Sequence, residues 1–137
     1  MLAWLRKLFP KPNQQGLRGT PAVRREKTYS AETGYVYRYF YEGYRDAERG
    51  HLSGHEHVFS VSSDRASRFP VVVFLSRQAL EPWEAGNSRE LIATEQYAIV
   101  KLSLFQSFDE RTDFDGRAVE VIISPENVEE HIATLDL

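Results

Sequence analysis

The 137-residue chain contains no cysteine and only one methionine. The absence of cysteine excludes disulfide scaffolds, thiolate zinc sites, thiol nucleophiles and cysteine-bound iron–sulfur clusters. The sequence also lacks any apolar run that approaches the roughly 18–20 residues needed to cross a bilayer. We therefore expect a soluble, cytoplasmic protein that folds without a cofactor, with a length typical of one domain, roughly 100–200 residues.

The motifs of several common enzyme classes are also missing. The sequence has no Gly-x-Ser-x-Gly nucleophile elbow, no glycine loop that cradles phosphate and no Gly-x-Gly-x-x-Gly dinucleotide fingerprint. Two carboxylates that the fold brings together could still act as acid and base, because spacing along the chain does not reveal such a pair. Whether the protein is an enzyme therefore stays open, with a non-enzymatic role favoured.

Charge is unevenly distributed and divides the chain in two. Residues 1–27 carry seven basic and one acidic side chain, a net charge of +6. The other 110 residues carry ten basic and nineteen acidic side chains, a net charge of −9, which gives −3 for the chain. A basic segment on an acidic domain can bind an anionic partner, its own domain or a second subunit. We treat residues 1–27 as a basic arm and residues 28–137 as one domain.

The basic arm has two parts. The apolar side chains of residues 1–9, including Trp4, share one face of a helix, and such a short helix must dock on another surface to persist. A protein surface is expected ahead of a membrane surface. Residues 10–27 contain prolines and glycines and predict a linker. Trp4, Arg24 and Arg25 are the candidate binding residues of the arm.

Alternating and apolar patterns predict three successive β-strands. The first runs from residue 35 to residue 41 and places four tyrosines on one side: Tyr35, Tyr37, Tyr39 and Tyr41. Residues 55–63 alternate again, and residues 69–75 form a continuous apolar run typical of a strand buried on both faces. Residues 46–54, rich in glycine and polar side chains, predict a long connecting loop.

A long helix is predicted after these strands. Asn87 is a candidate N-cap, with Glu90 in the reciprocal capping position, and the apolar pattern continues to about Phe108. Residues 97–105 also contain several strand-forming side chains, so this stretch could instead be a strand.

The remaining elements complete an α+β prediction. Pro82 is expected to stop a short turn formed by residues 76–81, and residues 118–123 predict one more strand. Ser124 and Pro125 then begin a short terminal helix. The order predicts a mainly antiparallel sheet of about four strands, with one long and one short C-terminal helix packed on one face.

The tyrosine row of the first strand has two interpretations. Tyr35, Tyr37, Tyr39 and Tyr41 could stack on nucleic-acid bases, cover a ligand or join a protein interface. They could equally form the face of the sheet that packs under the long helix, which is the common role of aromatic strand residues. The net charge of −9 on the domain weakens the nucleic-acid interpretation.

Three histidines form a candidate metal site. If residues 55–57 are extended, His55 and His57 point to the same side of the strand, roughly 6.5–7 Å apart, and His51 could supply a third ligand. The alternative is that His57 packs beside its apolar neighbours while His51 and His55 are polar surface groups. Local geometry places only two of the three ligands.

These patterns rank three functional hypotheses. The first is a non-enzymatic interaction module that binds a protein partner or a second copy of itself. The second is a small metal-assisted or acid/base enzyme built on His51, His55 and His57. The third is nucleic-acid binding through the basic arm and the tyrosine strand, and nucleic acid or a membrane surface could be bound only through residues 1–27.

Overall fold

The structure, a computed structural model, describes residues 16–111, 114 and 117–137. The amphipathic segment at residues 1–9, with the candidate binding residue Trp4, therefore lies outside the described residues. None of the helices in the described part of the chain is both long and apolar enough to cross a membrane.

A five-stranded sheet forms one layer of the α+β fold. Its strands are β1 (Lys27–Ser30), β2 (Val36–Arg49), β3 (Leu52–Ser62), β4 (Phe69–Ser76) and β5 (Val119–Ile122). The strands lie side by side in chain order; β1 to β4 are antiparallel, whereas β5 is parallel to β4. The predicted α+β fold is confirmed, whereas the mainly antiparallel sheet of about four strands is corrected to a mixed sheet of five strands. The helices between β4 and β5 return the chain to the end of the sheet at which β4 begins. The strands β4 and β5 are therefore parallel.

The β2–β3 hairpin is longer than the sequence predicts. The loop predicted for residues 46–54 is wrong, because β2 continues to Arg49 and only Gly50 and His51 form the turn. Gly50 has a positive φ of 62°, as two-residue hairpin turns require. Polar strand residues at the end of a hairpin resemble a loop in sequence, but here the ladder pairs Arg45 with Glu56 across the two strands.

Three helices in the described residues are α1 (Arg77–Asn87), α2 (Ala93–Glu110) and α3 (Pro125–Leu135). The prediction of one long helix that begins at Asn87 is wrong, because Asn87 ends α1 and its side chain donates to the Trp83 carbonyl at 2.8 Å. Pro82 lies inside α1 and does not stop it. The predicted start at Ser124 is confirmed, since its hydroxyl accepts a hydrogen bond from the Asn127 amide at 3.1 Å.

The aromatic face of β2 packs under α2, which resolves residues 97–105 as helix. Tyr37 and Tyr39 are buried, and the Tyr37 ring stacks on Phe108 of α2 with centroids 4.2 Å apart. Apolar side chains of β3, β4, α1 and α3 complete the same core. The sheet covers this core from one side and the helices from the other, as the α+β prediction requires.

The opposite face of the sheet is covered by charged side chains. Phe74 is buried there, and the Arg49 guanidinium lies 5.1 Å from its ring centroid. Arg45 and Arg49 both donate to the buried carboxylate of Glu56. Burial alone would raise the pKa of Glu56, but the hydrogen bonds from Arg49 and Arg45 outweigh it and hold that pKa below its usual value.

The described part of the predicted linker lies against β2. Arg18 exchanges two backbone hydrogen bonds with Tyr44, at 2.8 and 2.9 Å, and the Thr20 hydroxyl donates to the Glu42 carbonyl at 2.7 Å. Gly43 permits this approach: its φ is +124°, and a Cβ atom there would lie 2.7 Å from the Arg18 carbonyl oxygen. Residues 17–20 are thereby fixed beside the edge of β2.

Candidate functional site

Two adjoining cavities open between the sheet, residues 19–27 and the first turns of α2. The larger, about 480 Å³, is termed the aromatic cavity and is lined by Gly19, Pro21, Tyr41, Tyr44, His55, His57, Ala93, Thr94, Gln96 and Tyr97. The smaller, about 390 Å³, is termed the cationic cavity and is lined by Pro21, Val23, Arg25, Lys27, Tyr39, Tyr41 and Tyr97. They share Pro21, Tyr41 and Tyr97 and together form the cleft. Each volume falls in the range of small-ligand sites, roughly 300–1,000 Å³.

A β-bulge in β2 brings the tyrosines of the aromatic cavity together. Tyr41 and Tyr44 are three residues apart, so in a regular strand they would face opposite sides of the sheet. The register shifts between Tyr41 and Gly43, and beyond the shift Tyr44 pairs with His57 while Tyr41 pairs with Phe59. Both tyrosines therefore face α2, where Tyr97 meets Tyr41 edge-on at a centroid separation of 4.9 Å.

His57 lies at the base of the aromatic cavity and is only 7% exposed. Its Nδ1 is 2.9 Å from the Tyr41 hydroxyl, and the rings of Tyr44 and Tyr97 are 5.5 and 6.4 Å away. Burial, together with the nearby His55, lowers the pKa of His57 to about 4, so the ring is neutral at pH 7. We assign the Tyr41 hydroxyl as the donor to Nδ1, which leaves Nε2 as the N–H donor of the neutral ring.

Tyr41 and Tyr97 keep their protons at neutral pH. Burial, and then the neighbouring Tyr97 and Tyr44 hydroxyls, raise the pKa of Tyr41 well above its usual value. Burial also raises the pKa of Tyr97 to about 12. At neutral pH the aromatic cavity therefore presents the uncharged rings of Tyr41, His57 and Tyr97, with hydroxyl and N–H donors at their edges.

One rim of the aromatic cavity carries exposed charges. The Asp46 carboxylate lies 3.1 Å from Nε2 of His55 and 2.6 Å from the Arg18 guanidinium. That guanidinium also lies 4.9 Å from the ring centroid of Tyr44. Asp46 therefore contacts both Arg18 and His55 at the open edge of the cavity.

The three candidate metal-binding histidines are only partly brought together. His55 and His57 both line the aromatic cavity, whereas His51 is in the hairpin turn and belongs to neither cavity. Within residues 16–111, 114 and 117–137, no group of three or more potential ligands could hold a metal ion. His57 also has one ring nitrogen occupied by Tyr41.

The cationic cavity combines tyrosine rings with amines. Lys27 pairs with Tyr39 across β1 and β2, so both side chains lie on the cavity side of the sheet. Lys101 follows Tyr97 by one turn of α2, and its Nζ lies 5.3 Å from the Tyr39 centroid and 5.5 Å from that of Tyr97. Burial lowers the pKa of Lys101, and the positive charge of Lys27 lowers it further.

The predicted tyrosine row divides between packing and the cleft. Tyr35 is exposed and lines neither cavity, Tyr37 is buried in the core, and Tyr39 is buried where it meets the cationic cavity. Of these four tyrosines, only Tyr41 borders both cavities. Tyr37 and Tyr39 are part of the core.

The two candidate arginines of the arm face different sides of the sheet. Arg24 lies over the Phe40 ring, 3.8 Å from its centroid, and pairs with Glu42 on the face opposite α2. Arg25 lines the cationic cavity.

Sequence reasoning missed Tyr44, Tyr97, Lys27 and Lys101. Tyr44 falls beyond the alternating run because of the bulge. Gly43 was the sequence signal for it, since a glycine inside a strand indicates either a bulge or the end of the strand. Tyr97 and Lys101 lie four residues apart in a stretch that the sequence left open between helix and strand. A firm helix assignment would have placed these two on one face of α2.

No family model matches the chain, and no curated protein or solved structure shows significant similarity to it. The geometry of the cleft is therefore the basis for assigning a function.

Proposed function

We propose that this chain is a non-enzymatic binding module whose cleft holds an aromatic group presented by a protein partner. The observation that carries the proposal is the convergence of Tyr41, Tyr44 and Tyr97 around the buried His57 in one open cavity. Well-placed aromatic pairs contribute about 0.5–1.5 kcal/mol beyond the area they bury. Tyrosine is also enriched at protein interfaces, because its ring is apolar and its hydroxyl tolerates water.

The protonation of the cavity favours binding over acid/base catalysis. A general base works best when its pKa is close to the working pH. With a pKa of about 4, His57 is a weak base at pH 7, and a high pKa keeps Tyr41 protonated. These groups are suited to holding a fixed pattern of hydrogen-bond donors around a ring.

The proposal predicts that aromatic peptides bind at Tyr97. In a random heptapeptide library displayed on phage and selected on the full chain, recovered peptides should be enriched in tryptophan, tyrosine or phenylalanine. Tyr97→Ala should weaken their binding by about tenfold or more, since truncation of a central interface tyrosine commonly costs that much. Isothermal calorimetry with the synthetic peptides measures the change.

Tyr35→Ala is the matched control, because Tyr35 lies on an exposed part of the same face and lines neither cavity. Its affinity for the selected peptides should equal that of the natural sequence. Peptides without aromatic residues, or equal losses in Tyr35→Ala and Tyr97→Ala, would contradict the proposal. Sedimentation equilibrium of the chain alone separates a second copy from a different protein as the natural partner.

A further inference from the structure

Three cations converge on one end of the cleft. Arg25 and Lys27 line the cationic cavity, and the Lys101 Nζ lies beside two of its rings, those of Tyr39 and Tyr97. The basic arm supplies the first two cations, and α2 supplies the third. Segments far apart in the sequence therefore place like charges around a common space.

These cations have no carboxylate to neutralise them among the described residues. Elsewhere in the described chain most arginines, although not the exposed Arg65, pair with acidic side chains: Arg18, Arg24, Arg38, Arg45, Arg49, Arg68, Arg77 and Arg89. Arg25, Lys27 and Lys101 form no such pair with a described residue. The contrast is informative because the domain from residue 28 onward is acidic and carries nineteen carboxylates.

The surroundings of Lys101 disfavour the positive charge on its amine. Its side chain is half-buried among rings, and both burial and the charge of Lys27 disfavour the protonated amine. An anion in the cationic cavity would relieve the repulsion between the two amines and replace the lost hydration of Lys101.

The aromatic and cationic cavities adjoin at the lining residues that they share, Tyr41, Tyr97 and Pro21. A ligand that extends past these side chains would contact both cavities. A planar group would lie among the rings of Tyr41, Tyr44 and Tyr97, with His57 Nε2–H available as a donor, while an attached anion would reach the amines.

We infer that the group bound in the cleft joins an aromatic ring to a carboxylate or phosphate, with the ring in the aromatic cavity and the anion between Arg25, Lys27 and Lys101. This inference rests on the proposed function, because it concerns the same cleft. The ligand chemistry has two possible sources: a free aryl carboxylate or phosphate, or a peptide segment in which an acidic residue adjoins an aromatic one.

The test compares charged and neutral probes on the full chain by NMR titration. Indole-3-acetate and phenyl phosphate represent free ligands, with indole-3-acetamide as the neutral match. Acetyl-Glu-Trp-Glu-amide represents a peptide, with acetyl-Gln-Trp-Gln-amide as its match. We expect indole-3-acetate or the acidic peptide to bind about tenfold more tightly than its neutral match, a difference equivalent to about one charged hydrogen bond. The preference should shrink as salt rises from about 0.05 M to about 0.5 M.

Charge-removing variants test whether the anion binds beside Lys27 and Lys101. The double variant Lys27→Met and Lys101→Met keeps the apolar stems but removes two charges, so it should lose the preference for the anionic probe and retain the affinity for the neutral one. Retained binding of the neutral probe shows that the variant is folded. Arg65→Gln, which removes an exposed cation away from the cleft, should leave the preference unchanged.

The outcomes separate the inference from the proposed function. Equal affinity for anionic and neutral probes, with binding still dependent on Tyr97, overturns the inference and leaves the proposed function standing. An anion preference that survives in the double lysine variant also overturns the inference. If no aromatic probe of either charge shifts the resonances of Tyr41 or Tyr97, both fail. Binding by the acidic peptide alone identifies a protein segment and supports both. Binding by the free anions alone supports the inference but overturns the protein partner of the proposed function.

Discussion

Replacing Phe108 with alanine should lower the free energy of unfolding by about 3–5 kcal/mol. Phe108 is fully buried near the C-terminal end of α2, stacked on Tyr37 with its ring within 5.9 Å of the centroids of Tyr29 and Phe114. Rigid rings cannot collapse into the space that the missing side chain leaves, so the cost includes a cavity as well as the lost burial. The midpoint of urea unfolding, with the slope checked for constancy, measures the change.

Phe105→Ala provides the matched control for Phe108→Ala. Phe105 lies three residues earlier on α2 and also stacks on a tyrosine, Tyr29, with centroids 4.4 Å apart, but it is partly exposed. The same atoms are removed, so a smaller loss is expected because solvent fills part of the vacated space. Equal losses in the two variants would show that burial under α2 does not set the stability of this core.

The β2 strand was predictable because successive side chains of a strand point to opposite faces of the sheet, which gives an alternating sequence pattern. Alternating tyrosines between residues 35 and 41 must all point one way, and α2 buries Tyr37 and Tyr39 from that side. The helix start at Ser124 was equally predictable, since a hydroxyl cap followed by proline satisfies local backbone requirements. In both cases the signal is a local pattern in the sequence: alternation for β2 and a capping motif for α3.

The errors in the prediction have a common physical origin in distant contacts. Residues 46–49 look like a loop, yet pairing with β3 extends the strand, and Arg45 meets Glu56 across the ladder. Asn87 looks like an N-cap, but α2 begins only at Ala93, after Glu84 of α1 accepts the Leu91 amide at 2.7 Å. Contacts between separate elements decided both boundaries, so local propensity could not place them.

The sequence predicted individual residues of the cleft but not that they lie together. The histidine cluster pointed to His55 and His57, and the tyrosine row pointed to Tyr41, but their meeting depends on the bulge at Gly43. Part of the positive charge of the basic arm lies at the cationic cavity. Residues 25 and 27 of the basic arm line one end of the cleft, where the acidic domain contributes a lysine from α2 instead of a carboxylate.

Acidification should destabilise the protein through His57 before most carboxylates titrate. The pKa of His57 is about 4 in the folded chain and about 6.5 in the unfolded chain, so the unfolded state binds more protons between these values. Stability is therefore fully present above about pH 6.5 and falls towards pH 4, by about 3 kcal/mol from this ring.

Urea unfolding across this pH range tests the assignment of His57 as the buried neutral ring. His57→Gln should show a flatter dependence than the natural sequence, with a residual slope because burial also lowers the pKa of His131. His55→Gln is the matched control: His55 is partly exposed at the rim of the cavity, so the dependence should stay steep. Parallel curves for the natural sequence and His57→Gln would mean that His57 is solvated, and a solvated ring would remove the fixed Tyr41–His57 pair on which the proposed cleft depends.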